Sequence, residues 1–178
     1  NFLQILGRNE EAFACLTELI QKYPKSVKIH KTLAVQLQGM GLNDQALDVC
    51  ERGLALDPKD AELIRTKGAV LANMGENDKA IEAIDQVLES DANNPQFLRD
   101  KGVALEKTGN YDEALKHYTK SIENDPSNAY SHIYKAEVYL TLQREEEAYS
   151  TYRRALAYDV EHCDIYLGMA LIEFRRSE

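Results

Sequence analysis

The chain has 178 residues, of which 44% are hydrophobic and 29% are charged, with 9 glycines and 4 prolines. This composition is typical of a folded domain and excludes collagenous and low-complexity proteins. The formal net charge of −9 and the pI near 5.0 argue against nucleic acid or an anionic membrane as a partner, because both call for a basic face.

Cellular location can be inferred only from missing signals. No apolar stretch approaches the roughly 20 residues that a membrane-spanning helix needs, and no secretory leader is visible. The chain has an odd number of cysteines, Cys15, Cys50 and Cys163, and no CxxC pattern, so we expect reduced thiols. We expect Cys15 and Cys50 to lie in the core. These features predict a cytoplasmic protein.

The sequence repeats with a period of 34 residues. An alanine recurs at one phase without insertion, at Ala12, Ala46, Ala80, Ala114 and Ala148. A glycine precedes it in the same way, at Gly7, Gly41, Gly75 and Gly109, and Gln143 takes that place in the last repeat. This period is typical of helix–turn–helix units that stack into a solenoid.

Residues 61–94 illustrate one unit. Asp60 is a candidate N-cap for the first helix, since its side chain can accept from free backbone N–H groups. Gly75 suits the left-handed residue that ends this helix, and Asp78 lies in the first turn of the second helix. Pro95 begins the next unit, where its missing N–H has no consequence.

The same phase places every helix. First helices are predicted at 27–40, 61–74, 95–108, 129–142 and 163–176, and second helices at 9–22, 43–56, 77–90, 111–124 and 145–158, with residues 1–6 as the tail of one more first helix. One array therefore contains complete repeats at 27–60, 61–94, 95–128 and 129–162, with half repeats at 1–26 and 163–178. Because the last segment is apolar on both sides, we expect a longer parent protein.

The pattern resembles the tetratricopeptide repeat family over nearly the whole chain. The family's small first-helix residue falls on Ala34, Gly68, Gly102, Ala136 and Ala170, and its final proline on Pro24, Pro58 and Pro126. The family's first-helix aromatic residue is replaced by His30, Ile64, Leu98 and His132. The resemblance implies an all-α fold, a right-handed superhelical solenoid of antiparallel helical hairpins.

Catalytic motifs are missing from the sequence. It contains no nucleophile elbow, phosphate-binding loop or dinucleotide fingerprint. Its histidines are too dispersed in phase for a metal site, and we expect His30 and His132 to be packing residues. We therefore expect no enzymatic activity, cofactor or metal.

In the resembled family, ligands bind the concave face lined by first helices. On the corresponding positions this chain carries cations at Lys28, Lys31, Arg65 and Arg99, and then Tyr130, Ile133 and Tyr134. We expect carboxylates or phosphate of a ligand to meet the cations and an apolar part to lie on Tyr130, Ile133 and Tyr134. The alternative is a solvated surface, on which Glu62, Asp100, Glu106, Glu137 and Asp164 nearly cancel the cations.

One specific use of this face is disfavoured. Family members that grip the acidic tail of heat-shock chaperones use a five-residue carboxylate clamp. In one register the chain offers Lys31, Val35, Thr66, Gln96 and Asp100 at those positions, and in the next Arg65, Ala69, Asp100, Tyr130 and Tyr134. Only the first cation matches in either register.

The sequence thus predicts a non-catalytic module that binds a peptide or partner protein in its groove. Two alternatives remain open. The chain could be the recruitment or regulatory arm of a larger enzyme, or a structural block that forms homo-oligomers through uncapped ends.

Overall fold

The structure is a computed structural model that describes residues 14–158 and 162–177. Residues 14–22 are helical and are called α1. The further helices are α2 (Val27–Gly39), α3 (Asn43–Leu56), α4 (Ala61–Asn73), α5 (Asn77–Leu88), α6 (Pro95–Lys107), α7 (Tyr111–Asn124), α8 (Ala129–Thr141), α9 (Glu145–Ala155) and α10 (Cys163–Ser177). These residues contain no strand, and the predicted all-α class is confirmed.

The helix boundaries follow the 34-residue phase closely. Helices α2 to α10 all begin at the predicted residue. The largest difference is at α9, which ends at Ala155 rather than at the predicted residue 158. The predictions for residues 1–6 and for the start of the helix over 9–22 lie outside the described residues.

Side chains cap the N-termini of three first helices. Asp60 accepts a hydrogen bond from the Leu63 N–H at 3.0 Å, as predicted. At the equivalent position of the next two repeats, Asn94 accepts a hydrogen bond from the Gln96 N–H at 3.2 Å, and Asn128 accepts one from the Ser131 N–H at 3.3 Å. Each contact satisfies a donor that the helix cannot pair internally.

The turn inside each repeat needs a left-handed residue. Gly75 has a φ of 83°, and the other glycines of this column in the described chain are similar. Gln143 replaces glycine and still has a φ of 59°. Holding a side chain there costs on the order of 1 kcal/mol, so the packing of α8 on α9 must outweigh it.

The chain divides into two compact units, Asn1–Val87 and Leu88–Glu178, here called unit 1 and unit 2. In unit 1, α2 packs on α3 and α4, and α3 packs on α4. Its core includes Leu33, Leu37, Val49, Cys50 and Leu63. The buried Cys50 confirms one cysteine prediction, whereas Cys15 is exposed because α1 buries Ile20 instead.

In unit 2, α6 pairs with α7 and α8 with α9, while α7 also packs on α8. Helix α10 packs on α9 and α8. The largest fully buried side chains of this unit are Tyr118, Tyr152, Leu98, Ile165 and Ile172. Two tyrosines thus occupy core positions, which requires room on the facing helices.

Small residues provide that room. Ala34, Ala46, Ala114, Ala136 and Ala148 are completely buried. A Cβ built on Gly102 would lie 2.5 Å from Cε1 of Tyr118, so α6 can lie against this ring only without a side chain there. On Gly68, by contrast, the nearest atom would be Cγ1 of Ile84 at an ordinary 3.4 Å.

The last helix makes its close contact at a residue other than the small residue assigned by phase. Ala170, placed by phase at the close contact, is exposed. Helix α10 buries Ile165, Gly168 and Ile172, and a Cβ on Gly168 would lie 2.4 Å from Cζ of Tyr152. The buried stripe differs because the described partners of α10, which are α8 and α9, contact that other face.

The Gly102 contact predicts a large effect of one methyl group. Gly102→Ala should lower the free energy of unfolding by about 1–3 kcal/mol, because the buried Tyr118 ring has no free space into which to move. Gly68→Ala is the matched control and should leave stability unchanged or raise it by up to about 1 kcal/mol through helix propensity. Urea denaturation followed by circular dichroism measures both, and equal midpoints for the two variants would contradict this account of the contact.

Candidate functional site

The predicted cations of unit 1 lie on its first helices, α2 and α4. Lys28 is exposed. The Lys31 ammonium lies 3.2 Å from Asp60 Oδ2 and 3.1 Å from Glu62 Oε2. Hydrogen bonds to Glu62 and then to Asp60 raise the pKa of Lys31, so this cation is already paired with carboxylates of α4 and its cap.

Arg65 differs from Lys31. It lies half-buried on α4 and makes no ion pair with any residue in the described ranges. Its guanidinium therefore keeps its five donors available for a ligand within unit 1.

In unit 2 the predicted cation is paired. Nη2 of Arg99 donates to Asp100 Oδ1 at 2.8 Å, and Nε donates to the same oxygen at 3.2 Å. Both side chains lie on α6 and are mostly buried, with 14% and 23% of their area exposed. A ligand carboxylate at Arg99 would have to compete with this bond.

The predicted aromatic residues of unit 2 form a connected group on α8. Tyr130 is 50% exposed, and its ring centroid lies 6.3 Å from that of Tyr134. His162 packs edge-on against Tyr130 at 5.0 Å. Ile133, predicted beside them, is only 3% exposed and packs in the core with Ile165. The tyrosines, and not Ile133, are open to a ligand.

A buried hydrogen bond links the second helix α7 to the first-helix surface of unit 2. The hydroxyl of Tyr118, fully buried beneath Gly102, donates to Glu106 Oε2 at 2.9 Å. Burial raises the pKa of Glu106, although this hydrogen bond and the nearby Lys107 act in the opposite direction. Burial and then Glu106 raise the pKa of the Tyr118 hydroxyl.

Further carboxylates lie near Glu106. Glu137 on α8 is exposed, yet the surrounding protein atoms, and then repulsion from Glu106 and Asp164, raise its pKa. Burial, and then Glu137 and Asp164, raise the pKa of the Tyr152 hydroxyl. Asp164 itself is exposed at the start of α10. We call Glu106, Glu137, Asp164 and Tyr152 the acidic cluster.

From the sequence, these carboxylates were predicted only to offset the charge of the cations, and Tyr118 and Tyr152 were not predicted as site residues. A signal was present, since the two tyrosines are 34 residues apart and therefore share one repeat position. The repeat phase alone does not predict which of the two hydroxyl groups has a hydrogen-bond acceptor, because that depends on the facing side chain.

The histidine predictions are confirmed for the two residues at the first-helix aromatic position. His30 and His132 are 1% and 3% exposed. Nδ1 of His30 lies 2.9 Å from the Ser26 carbonyl, and Nε2 of His132 lies 3.1 Å from the Pro126 carbonyl. No group of His, Cys, Asp or Glu side chains in the described ranges is arranged to hold a metal ion.

No helix in residues 14–158 or 162–177 combines the length and the apolar character needed to cross a membrane.

The raised pKa of Glu106 predicts a pH dependence of stability. The native state holds this proton more tightly than the unfolded state, whose pKa is about 4.3, so ionisation above that pH costs stability. Glu106→Gln should therefore gain stability relative to the parent as pH rises from about 4 to about 7. Urea midpoints over this range measure the difference.

Glu113→Gln is the control of opposite sign. The hydrogen bond with Lys116 lowers the pKa of Glu113, so its contribution is present at neutral pH and is lost as pH falls. This variant should lose stability relative to the parent as pH rises. Parallel curves for the two variants would contradict the assigned environments.

The fold matches solved structures closely. A tetratricopeptide repeat protein from Parabacteroides merdae superposes with a TM-score of 0.85 at 18% identity, over 98% of this chain and 68% of that one. TTC0263, a thermophilic TPR protein of Thermus thermophilus, gives 0.83 at 17% identity, over 97% and 94%. YrrB, described as a TPR protein with an unusual peptide-binding site, gives 0.65 at 19% identity, over 93% and 86%.

No curated protein matches the sequence. Models described as "Tetratricopeptide repeat" match residues 1–26, 65–129 and 106–162, which together are more than half of the chain. The helical hairpins, the 34-residue register and the buried small-residue columns agree with these matches. The chain belongs to the tetratricopeptide repeat family.

Proposed function

We propose that this chain is a non-catalytic protein-interaction module that binds an extended segment of a partner on its first-helix surfaces. Family membership supports a role in protein interaction in general. The observation that carries the finer proposal is the Tyr130–Tyr134 pair, because Tyr130 is half exposed on a helix whose other large apolar residues are mostly packed.

Tyrosine suits such a surface. Its ring offers a large contact area with few rotatable bonds, so little side-chain entropy is lost on binding. Tyr130 is further held by the edge-on contact with His162. An apolar side chain of the partner would cover these rings and exclude water from them.

The cations of unit 1 would meet acidic groups of the partner. Arg65 is the best placed of them, since it has no ion pair within the described residues and can bind a carboxylate through two parallel hydrogen bonds. Lys28 is exposed and adds positive charge. Lys31 and Arg99 would contribute less, because each must first exchange a carboxylate of this chain.

A second candidate function is self-association. Helix α10 exposes Leu167 and Leu171 at 71% and 43%, and exposed apolar groups of this kind are often covered in an assembly. Under that alternative, sedimentation would show a mass that rises with concentration, and Leu167→Lys/Leu171→Lys would abolish the rise. The role as an arm of a larger enzyme stays a prediction.

Peptide selection tests the interaction module. Peptides selected from a random displayed library on the immobilised chain should bind the Tyr130→Ala variant about tenfold more weakly, as expected for an aromatic contact near the centre of an interface. Selected peptides that contain acidic residues, whether or not they depend on Tyr130, should weaken with Arg65→Glu. Affinities are measured by isothermal titration calorimetry.

Two control variants match these changes. Tyr23→Ala removes a tyrosine of similar exposure, 49%, that lies outside the first helices. Lys59→Glu makes the same charge change in an exposed turn. Peptides that weaken equally with the controls, or selections that yield no binding peptide, would overturn the proposal.

A further inference from the structure

The acidic cluster of unit 2 contains a hydroxyl group that this chain leaves unused. Tyr152 is only 2% exposed, yet its hydroxyl has no hydrogen-bond partner in the described part of the chain. Its hydroxyl oxygen is not among the fully buried, unpaired side-chain atoms of the described residues, so it retains some contact with solvent. A ligand that reaches this oxygen can bond to it without displacing a partner within the described chain.

The position of the Tyr152 ring shows where its hydroxyl points. The hydroxyl oxygen lies 2.6 Å from where a Cβ of Gly168 would be, so the tip of the ring fills the space of a missing side chain on α10. Asp164 lies one turn earlier on this helix, and both Asp164 and Glu137 act electrostatically on the hydroxyl. The ring therefore aims its polar end into the acidic cluster.

The preceding repeat provides an internal comparison. Tyr118 occupies the equivalent position and donates its hydroxyl proton to Glu106, which lies 12 residues before it. The residue at the same distance before Tyr152 is Leu140, whose side chain cannot accept a hydrogen bond. This repeat therefore has the tyrosine without the acceptor.

The charges around the cluster are also unbalanced. The charged groups that act on Glu137 are the carboxylates Glu106 and Asp164, and Lys107 acts on Glu106. Arg99 forms an ion pair with Asp100. Nδ1 of His162 lies 3.7 Å from Asp164 Oδ2, which is too long for a strong hydrogen bond.

We propose that Glu106, Glu137, Asp164 and the Tyr152 hydroxyl bind an arginine side chain of the partner protein. This inference rests on the proposed interaction function and names one side chain that the unit 2 surface recognises. The carboxylates supply opposite charge, and the hydroxyl supplies a neutral acceptor at the inner end of the site.

A guanidinium fits this set of groups better than an ammonium does. It carries five N–H donors in a plane, enough to bond two carboxylates and a hydroxyl oxygen at once, whereas an ammonium has three. It also stacks on aromatic rings, and Tyr134 lies near Glu137 on the same helix. Its weaker hydration lowers the cost of giving up water on binding.

The test uses three short peptides of identical backbone, acetyl-Gly-Gly-X-Gly-Gly-amide, in which X is arginine, lysine or citrulline. Citrulline keeps the shape of arginine without its charge. In two-dimensional NMR titrations of the full chain, the arginine peptide should shift resonances of α8 and α10 around Tyr152. It should bind about tenfold more tightly than the citrulline peptide, as expected for hydrogen bonds to charged groups.

Two variants separate the contributions. Glu137→Gln should weaken the arginine peptide roughly tenfold, and Tyr152→Phe, which removes one oxygen and no charge, should weaken it about threefold or more. Their controls are Glu123→Gln, an equal charge change at an exposed site on α7, and Tyr149→Phe, which removes a hydroxyl bonded to Glu173. Both controls should leave the affinity unchanged.

Folding is checked separately by the dispersion of each variant's amide spectrum. Equal binding of arginine and citrulline peptides, or unchanged binding by Tyr152→Phe, would overturn the proposal. A lysine peptide that binds as tightly as the arginine peptide would overturn the assignment to arginine. If library peptides bind through Tyr130 and Arg65 while the arginine peptide does not bind, the interaction function stands and this inference fails.

Discussion

Helices of this chain pack in antiparallel pairs because certain positions carry almost no side chain. The clearest case is Gly102, where the ring of Tyr118 lies directly against the backbone of α6. Close packing at such points gains dispersion energy over the whole ring, and a single methyl group would push the helices apart. The same contact brings the Tyr118 hydroxyl within 2.9 Å of Glu106, so the packing constraint also determines the chemistry of the neighbouring surface.

The two kinds of charge on the first helices have different surroundings. The cations Lys31 and Arg99 are paired with carboxylates of their own or a neighbouring helix. Glu106 instead accepts a hydrogen bond from the buried Tyr118, and Glu106 and Asp164 act on Glu137. These carboxylates of unit 2 are the basis of the proposed recognition of a cationic group.

An interaction surface with this distribution favours a partner segment of mixed character. In the proposed complex its aromatic part, Tyr130 and Tyr134, would give contact area, and its carboxylates would select for charge and position. The net charge of −9 acts in the same sense at longer range, because it speeds the approach of basic partners and slows that of acidic ones. Specificity would then come from the penalty for leaving a carboxylate or the Tyr152 hydroxyl unpaired when the wrong side chain is bound.

The sequence by itself determined the repeat, the helix boundaries, the Asp60 cap and the left-handed turns, because these depend on local spacing and on single-residue preferences. It also indicated which helices carry the candidate surface. Only the tertiary structure decided that Ile133 is buried, that Gly168 rather than Ala170 makes the close contact in α10, and that Lys31 and Arg99 are paired. The periodic phase assigns each position the environment of its equivalents, whereas burial and pairing depend on the particular side chains of the neighbouring helices. Tyr118 and Tyr152 share one phase and differ in their hydrogen bonding for that reason.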